Sequence, residues 1–79
     1  MAFMVSQQAR MARAALGLGM REVATATGLS TATITRLEKG GADARVSTVR
    51  RLQEYYEALG VKFIDADEGG GPGVRLRGS

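Results

Sequence analysis

Residues 20–39 read MREVATATGLSTATITRLEK, and their spacing decides the fold. Two short helices are expected, from about Met20 to Thr27 and from about Thr31 to Glu38, joined by a tight turn. Val23 and Ala24 share one face of the first helix. Gly28 breaks the chain, because glycine takes a positive φ at no steric cost. Leu29 plugs the corner, Ser30 caps the second helix, and Ile34 and Leu37 form its inward stripe. Small residues at 24 and 28 let the two helices cross closely at a steep angle, with the second presented outward.

The same reading extends in both directions. Ser6 is expected to cap a helix that runs to Leu16, with Val5, Ala9, Ala12 and Leu16 as its buried stripe and Gly17 and Gly19 at its end. Beyond residue 39, Gly40 is a stop and the polar loop GGADARV leads to Ser47, a good cap for a helix running to Leu59. Val49, Leu52, Tyr56 and Leu59 form its stripe, and Gly60 ends it. The period then changes. Val61–Ile64 and Val74–Arg77 read as short strands, with Val74 and Leu76 alternating against Arg75 and Arg77. Between them DADEGGGPG makes an acidic, glycine-rich loop. The expected fold is mainly α: a four-helix domain over residues 1–60 containing a helix-turn-helix, then a strand pair over 61–79. A helix-turn-helix places its second helix in the DNA major groove.

Composition bounds the function. With 79 residues the chain makes one small domain, and at this size only about 60% of the unfolded surface is buried, so help from a partner subunit is expected. There is no Cys and no His, which removes disulfides, thiolate metal sites and the commonest general base at neutral pH. With no convergent carboxylate set either, no catalytic residue is expected and the chain reads as a non-enzyme. The opening MAFMV is apolar but too short for a signal or membrane segment, so the expected compartment is the cytoplasm, with no membrane partner. The net charge of +3 is uneven: residues 1–53 carry eight bases and three acids, residues 54–79 three bases and five acids. A basic front and a weakly acidic rear fit a nucleic-acid face with a separate assembly region.

The stretch QARMARAALGLGMREVATATGLSTATITRLEKG resembles the phage repressor/Cro-like (XRE-type) helix-turn-helix family of transcriptional regulators. The resemblance covers roughly residues 8–59. The tail, LGVKFIDADEGGGPGVRLR, is similar to the ending of small bacterial members. The resemblance implies double-stranded DNA as partner and base contacts from the start and outward face of the third helix. At 100° per residue, Ala32, Thr35, Arg36 and Lys39 point outward and Thr31 stands at the leading end. Arg36 suits guanine O6 and N7, and the methyls of Thr31, Ala32 or Thr35 suit the thymine methyl. Ser30, Lys39, Arg45, Ser47 and Thr48 are the implied phosphate contacts. The second helix departs from the family: Gly19 and Met20 stand where a hydroxyl or amide cap and a Gln are common, and Met cannot donate to phosphate. Arg13 and Glu38 occupy positions that family members often join by a structural ion pair.

Other motifs carry less. The GGGPG loop lacks a following helix and a GK[ST] sequence, so it is no nucleotide loop. Asp65, Asp67 and Glu68 lack a full ligand set, and no metal or cofactor is expected. An isolated hairpin is marginal in water. Val61, Phe63, Val74 and Leu76 need cover, Ile64 lies on the opposite face from Phe63, and Tyr55 lies off the main stripe. These residues are expected to build a homodimer across exposed strand edges, or else the hairpin folds back on its own fourth helix. The functional expectation is a regulator, most simply a repressor dimer on an inverted-repeat operator. The alternatives are an antitoxin that uses the same domain for autoregulation, and a protein-interaction module on the same scaffold.

Overall fold

The computed structural model describes residues 3–40 and 45–78. Four helices, α1 (Ser6–Leu16), α2 (Met20–Thr27), α3 (Thr31–Glu38) and α4 (Val46–Ala58), precede an antiparallel hairpin of β1 (Val61–Ile64) and β2 (Gly73–Leu76). The fold is therefore mainly α with a C-terminal strand pair, as the periodicity predicts. Residues 41–44, the middle of the expected polar loop, lie outside the described residues, as do 1, 2 and 79.

α1 packs against α3 and β2, α4 against β1, α1 and α2, and α2 against α3. Met4, Ala9, Ala12, Val23, Ile34, Leu37, Leu52, Tyr56 and Val61 form one buried cluster drawn from every element except β2. Leu29 and Val49 pack against it as partly buried neighbours.

Both flanking helices begin earlier than their serines indicate, α1 by one residue and α4 by two. Val5 is the N-cap of α1, and the Gln8 side chain reaches back so that its Oε1 accepts from Val5 N at 2.9 Å. Ser6 is already helical. Likewise Arg45 caps α4 through backbone geometry alone, and its carbonyl accepts from the amides of Thr48 and Val49 at 3.0 Å. Ser47 therefore sits inside the first turn. Two apolar stripe positions also differ: Val5 is 43% exposed and Leu59 47%. Each lies just outside its helix, beyond the reach of the repeat that placed it on the stripe.

The inward face of α1 instead includes a polar residue. Gln8 is buried, and its Nε2 donates to the carbonyls of Ile64 and Gly73 at 2.9 and 3.0 Å. Those are the last residue of β1 and the first of β2, which pair with each other. Gln53, also buried, accepts from Met4 N at 2.9 Å. At the other end of the hairpin, Arg77 N donates to Gly60 O at 2.7 Å. The register is Val61↔Leu76, Lys62↔Arg75, Phe63↔Val74 and Ile64↔Gly73. Val61 and Phe63 thus turn to one side with Val74 and Leu76, and Lys62 and Arg75 to the other. Val61 is fully buried and Phe63 and Val74 pack against the same cluster, so one face of the hairpin shares the core of the helices.

Candidate nucleic-acid interface

The α2–α3 corner is set by backbone needs. Gly28 adopts φ +76°, and its N–H donates to Ala24 O at 2.9 Å, closing the end of α2. Thr27 turns inward and donates its hydroxyl to Val23 O at 2.8 Å. From the fourth helix, Arg51 reaches the Thr27 carbonyl at 3.5 Å. That is a cation placed on the free carbonyls of a helix C-terminus, where the macrodipole favours it. Ser30 Oγ accepts from Thr33 N at 3.1 Å and lies 2.9 Å from Thr33 Oγ1, fixing the first turn of α3.

The corner leaves α3 with two unlike faces. Ile34, Leu37 and Glu38 are buried. Thr31, Ala32 and Arg36 are exposed and Thr35 is half-buried. These four share the outward side of one two-turn helix, so the geometry brings them together. Lys39, immediately after α3, is exposed too.

Glu38 holds α3 to α1. Arg13 donates from Nε to Glu38 Oε2 at 2.7 Å and from Nη2 to Oε1 at 2.9 Å, a two-pronged pair. The bonds to the Glu38 carboxylate hold the Arg13 pKa above its ordinary value, against a smaller opposing effect of burial. Arg13 Nη1 also approaches Leu18 O at 3.4 Å, and Arg10 Nη1 donates to the Glu38 carbonyl. Two arginines one helical turn apart therefore grip the end of α3, one by its side chain and one by its backbone. Sequence reading passed over Arg10. The signal was present, since residues 10 and 13 are spaced to project from the same side of a helix.

Met20, a departure from the family pattern at the start of α2, also makes a contact of its own. Its sulfur lies 3.0 Å from the Thr35 hydroxyl, so it links the start of α2 to the outward flank of α3.

The remaining sites form a second group at the start of α4. Arg45 and Ser47 are exposed and Thr48 is half-buried, around a helix N-terminus whose free amides favour anions. Phe3 lies beneath the Arg50 guanidinium, 5.6 Å from ring centroid to Cζ.

The residues expected to build a dimer divide. Val61 is fully buried within its own chain and is not available to a partner; the hairpin docks on α1 and α4 and uses Val61 to close the core. Tyr55, Phe63, Ile64 and Val74 are half-buried, and Leu76 is 47% exposed. Among the described residues, no group of three or more Asp or Glu could hold a metal ion, and no helix is long and apolar enough to cross a membrane.

A family model described as a helix-turn-helix domain matches residues 5–62. No curated protein matches the chain.

Proposed function

The chain belongs to the family of helix-turn-helix domains, and from that premise we propose that it is a sequence-specific repressor, acting as a homodimer on an inverted-repeat operator. The family carries the DNA-binding part of this reading. The observation that carries sequence specificity is the division of α3: Ile34 and Leu37 are sunk in the core while Thr31, Ala32 and Arg36 stand in solvent. A side chain such as Arg36, displayed on a helix of this kind, matches the paired acceptors of guanine in the major groove. Lys39, Arg45 and the α4 N-terminus are suited to phosphates, which position without reading sequence.

We read the chain as a binding protein and not an enzyme, because without His or Cys no nucleophile–base pair is available from the usual residues. It works wherever the chromosome is, which for a bacterial regulator is the cytoplasm. Repression needs only occlusion of a promoter, a task within reach of a domain of this size.

The test is selection of bound duplexes from a random library, followed by affinity measurement. A two-fold symmetric motif is expected. Arg36→Ala should lower specific affinity by about 1–3 kcal/mol and relax preference at one base pair per half-site. Lys39→Ala and Arg45→Ala should instead flatten the salt dependence by about one unit each, leaving sequence preference in place. A library that enriches no motif, or an Arg36→Ala protein with an unchanged ratio of specific to non-specific binding, overturns the reading.

A further inference from the structure

The outer face of the hairpin is electrostatically unfinished. Lys62 and Arg75 are direct partners in the antiparallel register, and both are exposed. Like charges set opposite each other across a strand pair repel. Arg77, also exposed, follows two residues after Arg75 and adds a third cation to the stem. Among the described residues the one salt bridge is Arg13–Glu38, so none of these three cations is paired with a carboxylate there.

The complementary charge stands at the other end of the same hairpin. Asp65, Asp67 and Glu68 are all exposed at its tip. The tip is shaped by a bridge between Asp67 and Gly70 and by Gly69 N donating to Asp67 Oδ1 at 2.8 Å. A four-residue strand is roughly 13 Å long. Stem cations and tip carboxylates of one hairpin are therefore separated by a distance comparable to the Debye length, roughly 8 Å in physiological salt, and attract each other weakly.

Between them lies Ile64. It alternates onto the same side as Lys62, opposite Gly73, where a side chain would meet nothing within 4 Å. The outer face of the stem thus runs from cations to a half-buried isoleucine beside open space, and the exposed carboxylates of the tip lie beyond it.

We propose that this face binds a second copy of the chain, with the two hairpins antiparallel about a two-fold axis near Ile64. The inference rests on the homodimer reading above and adds the surface and its orientation. A patch positive at one end and negative at the other is its own complement when rotated by half a turn, as a two-fold interface requires. Each basic stem meets the partner's acidic tip, and the two Ile64 side chains meet at the centre over the gap left by Gly73.

Two variants test it. Lys62→Glu with Arg75→Glu makes the stem acidic to match the tip; Asp65→Lys with Glu68→Lys makes the tip basic to match the stem. All four positions are exposed, and circular dichroism checks that each variant is folded. Sedimentation should show each variant alone weakened as a dimer by at least about tenfold, and an equal mixture should restore dimers containing one of each. If the wild-type chain dimerises and either variant does so equally well alone, or the mixture does not recover, this face is not the interface while the homodimer reading stands. If the wild-type chain sediments as a monomer throughout and on its operator, both fail. A stem variant that remains a dimer but loses affinity for duplexes of any sequence assigns the cations to phosphate and overturns the proposal.

Discussion

The hydroxyl of Thr35 lies between two acceptors, 2.8 Å from the Thr31 carbonyl oxygen and 3.0 Å from the Met20 sulfur. A hydroxyl has one proton, and here both acceptors within reach belong to the chain itself. With its proton engaged inside the chain, the hydroxyl is not free to donate to a base, and the Thr35 methyl is the group expected to make the base contact.

Thr35→Val keeps that methyl and the branched shape, so specific DNA affinity should hold. Thr35→Ser keeps the hydroxyl and should lose up to about 0.8 kcal/mol, the worth of one buried methyl group. Replacing thymine by uracil at the contacted position should reproduce the serine loss in the parent protein and add nothing to it in the Ser variant. Anisotropy titrations on the paired duplexes check this, and a Val variant weaker than a Ser variant that binds like the parent would show that the hydroxyl is the reading group.

Arg13 and Glu38 should be strongly coupled. Arg13→Ala takes both hydrogen-bond donors from a buried carboxylate and should destabilise by about 2–4 kcal/mol, toward the low end for buried pairs because Arg13 is partly in water. Replacing both residues with apolar ones of similar size should cost less than the two single changes added together. Urea denaturation of the four proteins in the cycle measures the difference.

Gln8 gives a sharper contrast. Gln8→Ala removes the donor shared by Ile64 and Gly73 and should cost about 1–3 kcal/mol. Gln8→Glu keeps the shape but turns an ionised, acceptor-only group toward two carbonyl oxygens, so it should cost more at neutral pH. Burial among acceptors raises that carboxyl's folded pKa above its unfolded value. The penalty should therefore shrink as pH falls and the carboxyl regains a proton to donate. Thermal melts of the two variants at pH 7 and in mild acid are the check.

Tyr56 is fully buried, and its hydroxyl has no hydrogen-bond partner among the described residues. Burial first, then the nearby Glu38 charge, pushes its pKa up to about 12. The folded chain thus holds the proton more tightly than the unfolded chain, whose tyrosine titrates near pH 10. Stability from this group is complete below about pH 10 and is lost as pH rises from there toward 12. Tyr56→Phe should abolish that part of the alkaline decline and change neutral-pH stability by no more than about 1 kcal/mol, since it deletes an unpaired group. A pH series of denaturation midpoints tests both statements.

The helical corner was fully readable because its determinants are local. Gly28 and Ser30 act on their immediate neighbours, and α2 and α3 have the predicted bounds. The buried amides were not readable. Gln8 and Gln53 look like surface residues, and only the backbone groups they meet, 49 to 65 residues away in sequence, make their burial favourable. The same blindness assigned Val61 to a partner: alternation separates the faces of a strand but does not say which body of the fold a face will meet. Thr31, Ala32 and Arg36 could be placed outward because an eight-residue helix with two inward apolar positions has only one other side.

The Gln8 clasp also bears on kinetics. It joins residues 65 apart, whereas the corner between α2 and α3 closes within a few. Closing the longer loop costs more chain entropy before any contact offsets it. The helices are therefore expected to assemble first, with the hairpin docking after the main barrier. Substitutions at Gln8 should leave the refolding limb of a chevron plot nearly unmoved and raise the unfolding limb. On that outcome the clasp would set how long the folded domain lasts rather than how fast it forms.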